Sequence, residues 1–500
     1  MSIEYFLNSL YLIKPEIAVT IFLVLIVLLD LFFSKKNHLL PFFAFLGLLI
    51  TGYFVIEQFD IKGLAFVTND SRAMVTVDSF AAFFKTIVVI TSLYFVLLTV
   101  NSKEMDETHD RRGEYYTLMM GMVLGMFFMI SGSDLILLYL SVELVSLSSY
   151  VMAGFAKTSE RSSEASLKYL IYGALSSGLM LFGISLVYGL TASTNLYELN
   201  ALIVVSQANS FVLMFALLLI FAGIGYKISA VPFHFWTPDV YEGAPTPVTA
   251  YLSVASKAAG FALLIRFIKV SFVFDKDTLG FWSSNPVFNW QDFLIVISVA
   301  TMTLGNFAAL WQKNVKRMLA YSSIAHAGYL LTGLAVLSDT GLIAILVYFA
   351  IYLMMNIGAF LIVILIKNKT GSEELDNYDG LGFSMPFLGV SFTIFLISLT
   401  GLPPTAGFIG KLYLFMALVD AKMIVLAVIA LLNSVVSLYY YIRILKHMFL
   451  AKPKENSPKE ELSLQQILIV LSLVIPVIFF GLYFSPIVEL AKNSILMLGF

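Results

Sequence analysis

Six ionisable residues of this 500-residue chain stand in stretches that are otherwise apolar: Glu143, Lys168, Lys227, Lys257, His326 and Lys411. A charge in such a segment is costly and marks a route for ions or protons more often than not. Lys257 lies in LSVASKAAGFALL, among Ser253, Ala255, Ser256, Ala258, Ala259 and Gly260. Small neighbours let helices close around it, so it faces protein rather than lipid, and a desolvated lysine can exchange a proton near neutral pH. Glu143 stands about ten residues from either end of its apolar run, where a carboxylate must be neutral, paired or hydrated. Lys168, near the start of the next run, is a candidate partner for it, or a side chain reaching back to the membrane surface. His326, in YSSIAHAGYLLTG, titrates in the physiological range; it is a candidate proton link or a packing residue held by hydrogen bonds. The chemistry these residue types share is proton exchange.

Two breaks must position the remaining lysines. The first reads AGIGYKISAVPFHFWTPDVYEGAPTP, with Lys227 ahead of Pro232, Pro238, Pro245 and Pro247. The second reads ISLTGLPPTAGFIGKLYLF, with Pro403 and Pro404 ahead of Lys411. Proline breaks free backbone groups, which within a bilayer are tolerated only inside protein or beside water. His234 falls in the first break, where it either serves those freed groups or carries protons.

The surrounding composition is that of a polytopic membrane protein: 59% hydrophobic and 12% charged, about half the charged fraction of soluble domains. There is no cysteine, which excludes disulfides, thiolate metal sites and iron–sulfur ligation in this chain. No phosphate loop, His/Glu metal motif or nucleophile–base constellation is present, and no basic cluster resembles a nucleic-acid footprint. The run from Pro15 to Phe33 exceeds the roughly 7–15 residues of a signal-peptide core and reads as a retained first helix.

The rule of about 20 apolar residues per span gives about fourteen transmembrane helices. They fall at roughly 15–33, 39–57, 78–100, 115–131, 133–156, 166–190, 210–230, 247–270, 291–311, 320–338, 341–366, 385–420 (broken), 422–448 and 464–484. The expected fold is therefore an all-α polytopic membrane protein. The bias of basic loop residues puts both termini outside. On that reading seventeen Lys and Arg, with Lys35, Lys36, Lys316 and Lys454 among them, face the cytoplasm, and eight, Arg266 among them, face out. Lys85 is expected to snorkel to the outer surface, and Arg443, Lys446 and His447 to the inner one. The broken segments are seventh and twelfth, each fourth in a block of five. Two odd blocks enter the membrane from opposite sides, the pattern of an inverted-repeat transporter. The expected units are three N-terminal helices (1–114), a first five-helix repeat (115–270), a second, inverted repeat (271–450), and a connector with the last helix (451–500).

PFHFWTPDVYEGAPTPVTAYLSVASKAAG (232–260), WQKNVKRMLAYSSIAHAGYLLTG (311–333) and LTGLPPTAGFIGKLYLF (399–415) resemble the antiporter-like membrane subunits of respiratory complex I, the NADH-quinone oxidoreductase. The wording of the first and a lysine at Lys411 resemble the subunit N branch, the counterpart of mitochondrial subunit 2. The likeness covers roughly 115–450, with Glu143 and Lys168 in place. It implies a proton-translocating module of a bacterial inner-membrane complex that oxidises NADH and reduces quinone. NADH, FMN, iron–sulfur clusters and quinone would be used by the complex, with none bound by this chain. It further implies that Glu143 pairs with Lys168 or Lys227, that Lys257 is the central relay, His326 a link and Lys411 the exit-side residue. Implied partners are antiporter-like subunit M, small subunit K and the lateral helix of the distal antiporter-like subunit. A subunit of a multi-subunit sodium/proton antiporter would share the broken helices and lysines, and a scaffold with degenerate ion sites would not need them.

Overall fold

In hydrocarbon a chain satisfies its backbone by coiling on itself, and all fourteen expected segments are helical in the computed structural model. It describes residues 3–32, 39–67, 72–205, 209–453, 458–459, 461–496 and 498, with 107–110 as backbone; Lys35, Lys36 and Lys454 lie outside the described residues. In chain order the helices are α1 (Lys14–Phe32), α2 (Leu40–Glu57), α3 (Ser79–Val100), α4 (Arg112–Ser131), α5 (Leu135–Ala153), α6 (Glu160–Thr191) and α7 (Ser210–Ile228). An eight-residue helix, α8 (Trp236–Gly243), precedes α9 (Thr246–Phe272). Then come α10 (Trp290–Ala309), α11 (Val315–Ala335), α12 (Asp339–Thr370), α13 (Pro386–Thr400), α14 (Ala406–Asp420), α15 (Ile424–Leu450) and α16 (Leu464–Leu482).

Among the described residues twelve helices are long and apolar enough to span a membrane, or thirteen when a bent pair ending in α13 counts as one. Outside the twelve stand α11 and the broken pair α13–α14. The two halves of the pair have 15 residues each, too few to cross separately. Helix α11 has 21 residues, and all but Arg317 and Tyr321 are buried. Its serines, histidine and threonine are enclosed by protein and need no apolar surface.

Polar caps set where the helices begin. Asp134 accepts from the backbone N–H of Ile136 and Leu137 at the start of α5, Asn314 from Arg317 N–H at the start of α11, and Ser338 from Gly341 N–H at the start of α12. Each satisfies donors that a helix leaves open. The connections gather at two ends. At one end are the hairpins Gly63–Ala65 with Val75–Val77 and Val273–Lys276 with Trp282–Ser284, tied to neighbouring loops by the bridges Val75–Gly132, Asp134–Asn195 and Phe281–Ser338. At the opposite end an Asn314–Glu374 bridge joins the loops before α11 and after α12.

Helices α9 and α12 form the centre: over an apolar stretch of 18 residues, all of α9 and 89% of α12 are buried, against 28% for each of α1 and α16 at the rim. Glycine brings α10 and α11 into backbone contact. A Cβ on Gly305 would stand 2.6 Å from Ala325 N, and one on Gly328 would stand 2.4 Å from Met302 N. Larger residues would push apart the two helices that carry Asn306, His326 and Tyr329.

Candidate functional site

The first break follows from the end of α7. Ser229 takes the left-handed conformation (φ 60°), and the Val231–Pro232 peptide beyond it is cis. The chain then re-enters helix at Trp236, whose indole N–H donates to the carbonyl of Tyr226 at 3.1 Å. One of the carbonyls released by the break is thereby satisfied. Rings of Tyr150, Tyr169, Tyr226 and Trp236 pack successively at 4.8, 6.0 and 5.1 Å. Lys227 lies in the last turn of α7, 1% exposed, and its Nζ has no hydrogen-bond partner among the described residues. The carboxylate whose field acts on it is Glu143, and Glu143 Oε1 is likewise buried without a partner. His234 is buried in the break, with its Nδ1 unbonded.

Lys168 corrects one expectation: it does not pair with Glu143. Its Nζ stands 2.6 Å from Asp239 and 2.7 Å from Glu164, and its side chain is 37% exposed. Side chains lean toward the N-terminus of their own helix. In the antiparallel pair α5 and α6 this carries Glu143 and Lys168 toward opposite ends. Helix α8, a product of the break, brings Asp239 to Lys168 instead. Arg317 bonds Asp239 at 2.8 Å and Glu242 at 2.7 Å. These groups line a polar cavity of about 150 Å³.

Lys257 follows a π turn, Leu252–Ser256, within α9. Its Nζ donates to the Ser323 carbonyl at 2.8 Å and to Ser323 Oγ at 2.9 Å. Lys227 is close by along α9: a Cβ on Gly260, one turn past Lys257, would touch the Lys227 Cβ at 3.4 Å. His326 follows Ser323 by one turn of α11. Its Nδ1 meets Tyr348 OH at 2.6 Å and its Nε2 meets Tyr441 OH at 3.3 Å, while Tyr441 also bonds Ser322. Lys227, Lys257 and His326 therefore follow one another along a buried polar axis, with the half-buried Glu143 acting on its Lys227 end.

The second break ends that axis. Gly401 adopts φ +86°, a conformation open to glycine at little cost, and closes α13. The carbonyl of Thr400, freed at the α13 terminus, accepts from Lys411 Nζ at 2.7 Å; Ser434 Oγ accepts at 2.8 Å. The negative end of a helix dipole favours a cation at that place. The ammonium also lies 4.7 Å over the Tyr329 ring. Beside it a cavity of about 240 Å³ is lined by Leu402, Phe408, Leu431 and Val435.

Three further expectations are corrected. Lys85 does not snorkel: it is fully buried, 2.6 Å from the buried Glu16, and bonds Gln58 at 3.1 Å. Arg266 is no loop residue: within α9 it holds Asp78 through two 2.9 Å bonds and donates to the Ile130 carbonyl. Lys316, expected in a cytoplasmic loop, is 1% exposed and bonds Glu373 at 3.2 Å and the Ala244 carbonyl at 2.8 Å. Glu373 and Glu104 also hold Lys367, at 2.7 and 3.0 Å, and Glu104 accepts from Thr246 N–H at the start of α9. Burial alone would raise the Glu373 carboxyl; the Lys316 and Lys367 ammoniums outweigh it and hold the group at about 2. Glu104 is held below its ordinary range by the same balance. Sequence reasoning missed Ser323, Tyr329, Tyr348 and Tyr441. The signal for the α11 members was the helical spacing of hydroxyls around His326, at positions −3 and +3.

Residues 132–437 match the family described as NADH:quinone oxidoreductase/Mrp antiporter, TM. NADH-quinone oxidoreductase subunit N 2 of Chloroherpeton thalassium is 48% identical over 491 residues, 97% of this chain and 94% of that protein. Among solved structures, a chain of respiratory complex I from Thermus thermophilus with bound aureothin is similar with a TM-score of 0.77 at 30% identity, covering 96% of this chain and 99% of that one. A chain of the membrane-bound sulfane sulfur reductase, an archaeal respiratory membrane complex, shares the fold with a TM-score of 0.83 at 24% identity, over 99% and 98%.

Proposed function

The chain belongs to the subunit N family of NADH-quinone oxidoreductase, and on that premise we propose that its buried axis is the proton path of this membrane-arm subunit. Subunit N is a proton-translocating part of a multi-subunit membrane complex whose redox cofactors are carried by other subunits. This chain contributes the path, and the observation that carries the reading is the succession Glu143, Lys227, Lys257–Ser323, His326 and Lys411 through the centre of the fold.

Each residue has a chemical role. Glu143 supplies a counter-charge to Lys227; when that carboxylate is drawn away or neutralised, the buried ammonium loses its electrostatic support and passes its proton on. Lys257 receives it beside Ser323, His326 links through Tyr348 and Tyr441, and Lys411 holds it at the exit side against the α13 terminus. Lys168, in the exposed polar cavity with Asp239 and Arg317, supplies the relay from the cytoplasmic side. Residues 115–270 and 271–450 act as inverted repeats around this axis, with both termini outside the bacterial inner membrane. Subunit M, subunit K and the lateral helix of the distal antiporter-like subunit are the neighbours that receive or deliver the charge shifts. NADH, FMN, iron–sulfur clusters and quinone are used elsewhere in the complex, by other subunits.

The test is NADH-driven, quinone-linked proton uptake by proteoliposomes holding the whole complex. Lys257→Ala and Glu143→Ala are each expected to lose most of the pumping attributable to this subunit while the complex remains assembled. Wild-type proton uptake in both variants would overturn the relay.

A further inference from the structure

Between His326 and Lys411 the side chains form a second connection, made of hydrogen bonds at its centre and ring contacts at its ends, and its middle member is an amide. Tyr441, which meets His326 Nε2, packs its ring 4.4 Å from that of Tyr440. Tyr440 OH donates to Asn306 Oδ1 at 3.1 Å, and Asn306 Nδ2 donates to Tyr329 OH at 3.2 Å. Tyr329 in turn presents its ring to the Lys411 ammonium. The second N–H of Asn306 goes to Asn433 Oδ1 at 3.2 Å, and Asn433 Nδ2 is fixed by Thr303 Oγ1 at 3.2 Å and the Ile429 carbonyl at 3.1 Å. Asn306 is completely buried, and Tyr329 and Tyr440 are nearly so. Both donors and one acceptor position of the Asn306 amide are used, so it is held in one orientation.

The backbone makes that orientation durable. Asn306 follows Gly305 and Tyr329 follows Gly328, the two glycines at which α10 and α11 touch. The amide and the phenol it holds are thus carried by a close helix contact beside the axis.

A neutral carboxamide donates and accepts hydrogen bonds but neither takes up nor gives up a proton at physiological pH. We infer that Asn306 is a positioning residue that joins the tyrosines beside His326 and Lys411 while interrupting proton transfer along them, so that protons pass between those two ends by the relay and not along the tyrosine chain. The inference rests on the relay proposed above. Its consequence is specific: a titratable group of the same shape in that place completes a conducting chain, Tyr440–carboxyl–Tyr329, and lets protons pass without redox drive.

Asn306→Asp and Asn306→Leu test this in the purified complex reconstituted in proteoliposomes, with subunit retention checked on the same preparation. The readouts are passive proton flux under an imposed gradient without NADH, its pH profile, and NADH-driven pumping. Asn306→Asp is expected to raise passive flux several-fold with a titrating pH profile. Asn306→Leu, which frees Tyr329 without adding a proton carrier, is expected to leave passive flux at the wild-type level and to slow pumping. Equal flux in Asn306→Asp and wild type overturns the inference, as does a Leu variant as leaky as the Asp variant, since that marks a packing defect. Lys411→Ala placed on Asn306→Asp is expected to abolish the leak; a persisting leak also overturns it. Should Asn306→Asp fail to assemble, Asn433→Asp puts the carboxyl one hydrogen bond away and is expected to give a smaller leak of the same pH profile; its absence counts against the inference. Loss of pumping in Lys257→Ala together with a tight Asn306→Asp leaves the relay standing and removes the insulating joint alone, whereas wild-type pumping in Lys257→Ala removes the relay itself.

Discussion

Buried cations that flank the polar axis and buried cations on it are held by different chemistry. At the flanks, Lys85 has Glu16, Arg266 has Asp78 and Lys316 has Glu373, each within 3.2 Å. On the axis, Lys257 and Lys411 meet carbonyl and hydroxyl oxygens, and Lys227 Nζ meets nothing among the described residues. A carboxylate contact fixes a charge, because separating the pair leaves two uncompensated ions in low dielectric. Neutral oxygens accept a hydrogen bond from the ammonium at much smaller electrostatic penalty for losing the proton. Under the proposed relay, the flanks carry permanent charges that locate helices, and the axis carries charges that can come and go.

The largest test of this division is to remove one partner in each region. Asp78→Ala strands the Arg266 guanidinium inside α9, and a loss of about 3–5 kcal/mol is the ordinary result of breaking a buried pair. The complex should retain less of this subunit and unfold at lower temperature, and Asp78→Leu with Arg266→Leu should recover much of the loss. Lys257→Met should do the reverse: thermal stability at or above wild type, with proton pumping lost. If Lys257→Met destabilised the complex as much as Asp78→Ala, the two kinds of cation would not differ.

This division also marks how far the sequence could be read. The apolar runs, the two proline breaks and the wording around them located the helices and the six candidate residues, because hydrophobic length and missing amides leave their mark on local sequence. Partner choice leaves none. Glu16 and Lys85 are 69 positions apart in the sequence and meet across α1 and α3. Lys168 lost Glu143 to Asp239 because the lean of side chains in antiparallel helices outweighs nearness in the chain. Lys85 and Arg266 each stand near a helix end, where sequence alone expects the first to snorkel and counts the second with the outward-facing loop charges; the carboxylates that keep them inside come from elsewhere. Spacing within one helix was legible, as the hydroxyls around His326 show, and pairing between helices was not.

A flank pair that reaches the solvent side gives a pH test of intermediate size. Glu373 is held at about 2, below its ordinary 4.5. A carboxyl lowered by folding stabilises fully above its unfolded value and loses that contribution as pH falls through the folded one. Glu373→Gln should thus be destabilising at neutral pH. The gap to wild type should stay constant down to about pH 4.5 and close toward pH 2. Thermal melts of the two complexes across that range check it. A gap that widened on acidification would mean that the two lysines do not set the state of Glu373.

The smallest effect separates the two lysines of the axis that share neutral ligands. Lys411 is bound by the Thr400 carbonyl and by Ser434 Oγ, and Ser434 also donates to the same carbonyl at 3.1 Å. Ser434→Ala removes the hydrogen bond that Ser434 accepts from the ammonium and the one it donates to the Thr400 carbonyl, about 0.5–1.5 kcal/mol in net terms for the neutral bond and somewhat more for the charge-assisted one, and leaves the carbonyl wholly to the ammonium. Because the ligand lost is a hydroxyl and not a carboxylate, the melting temperature should fall less than in Asp78→Ala. The pH dependence of pumping should shift, since the charged form of Lys411 has lost one acceptor while the neutral form has lost little. A melting change with an unmoved pH profile would place Ser434 with the flank groups, as a packing residue, and would leave the α13 terminus as the sole determinant of the lysine at the second break.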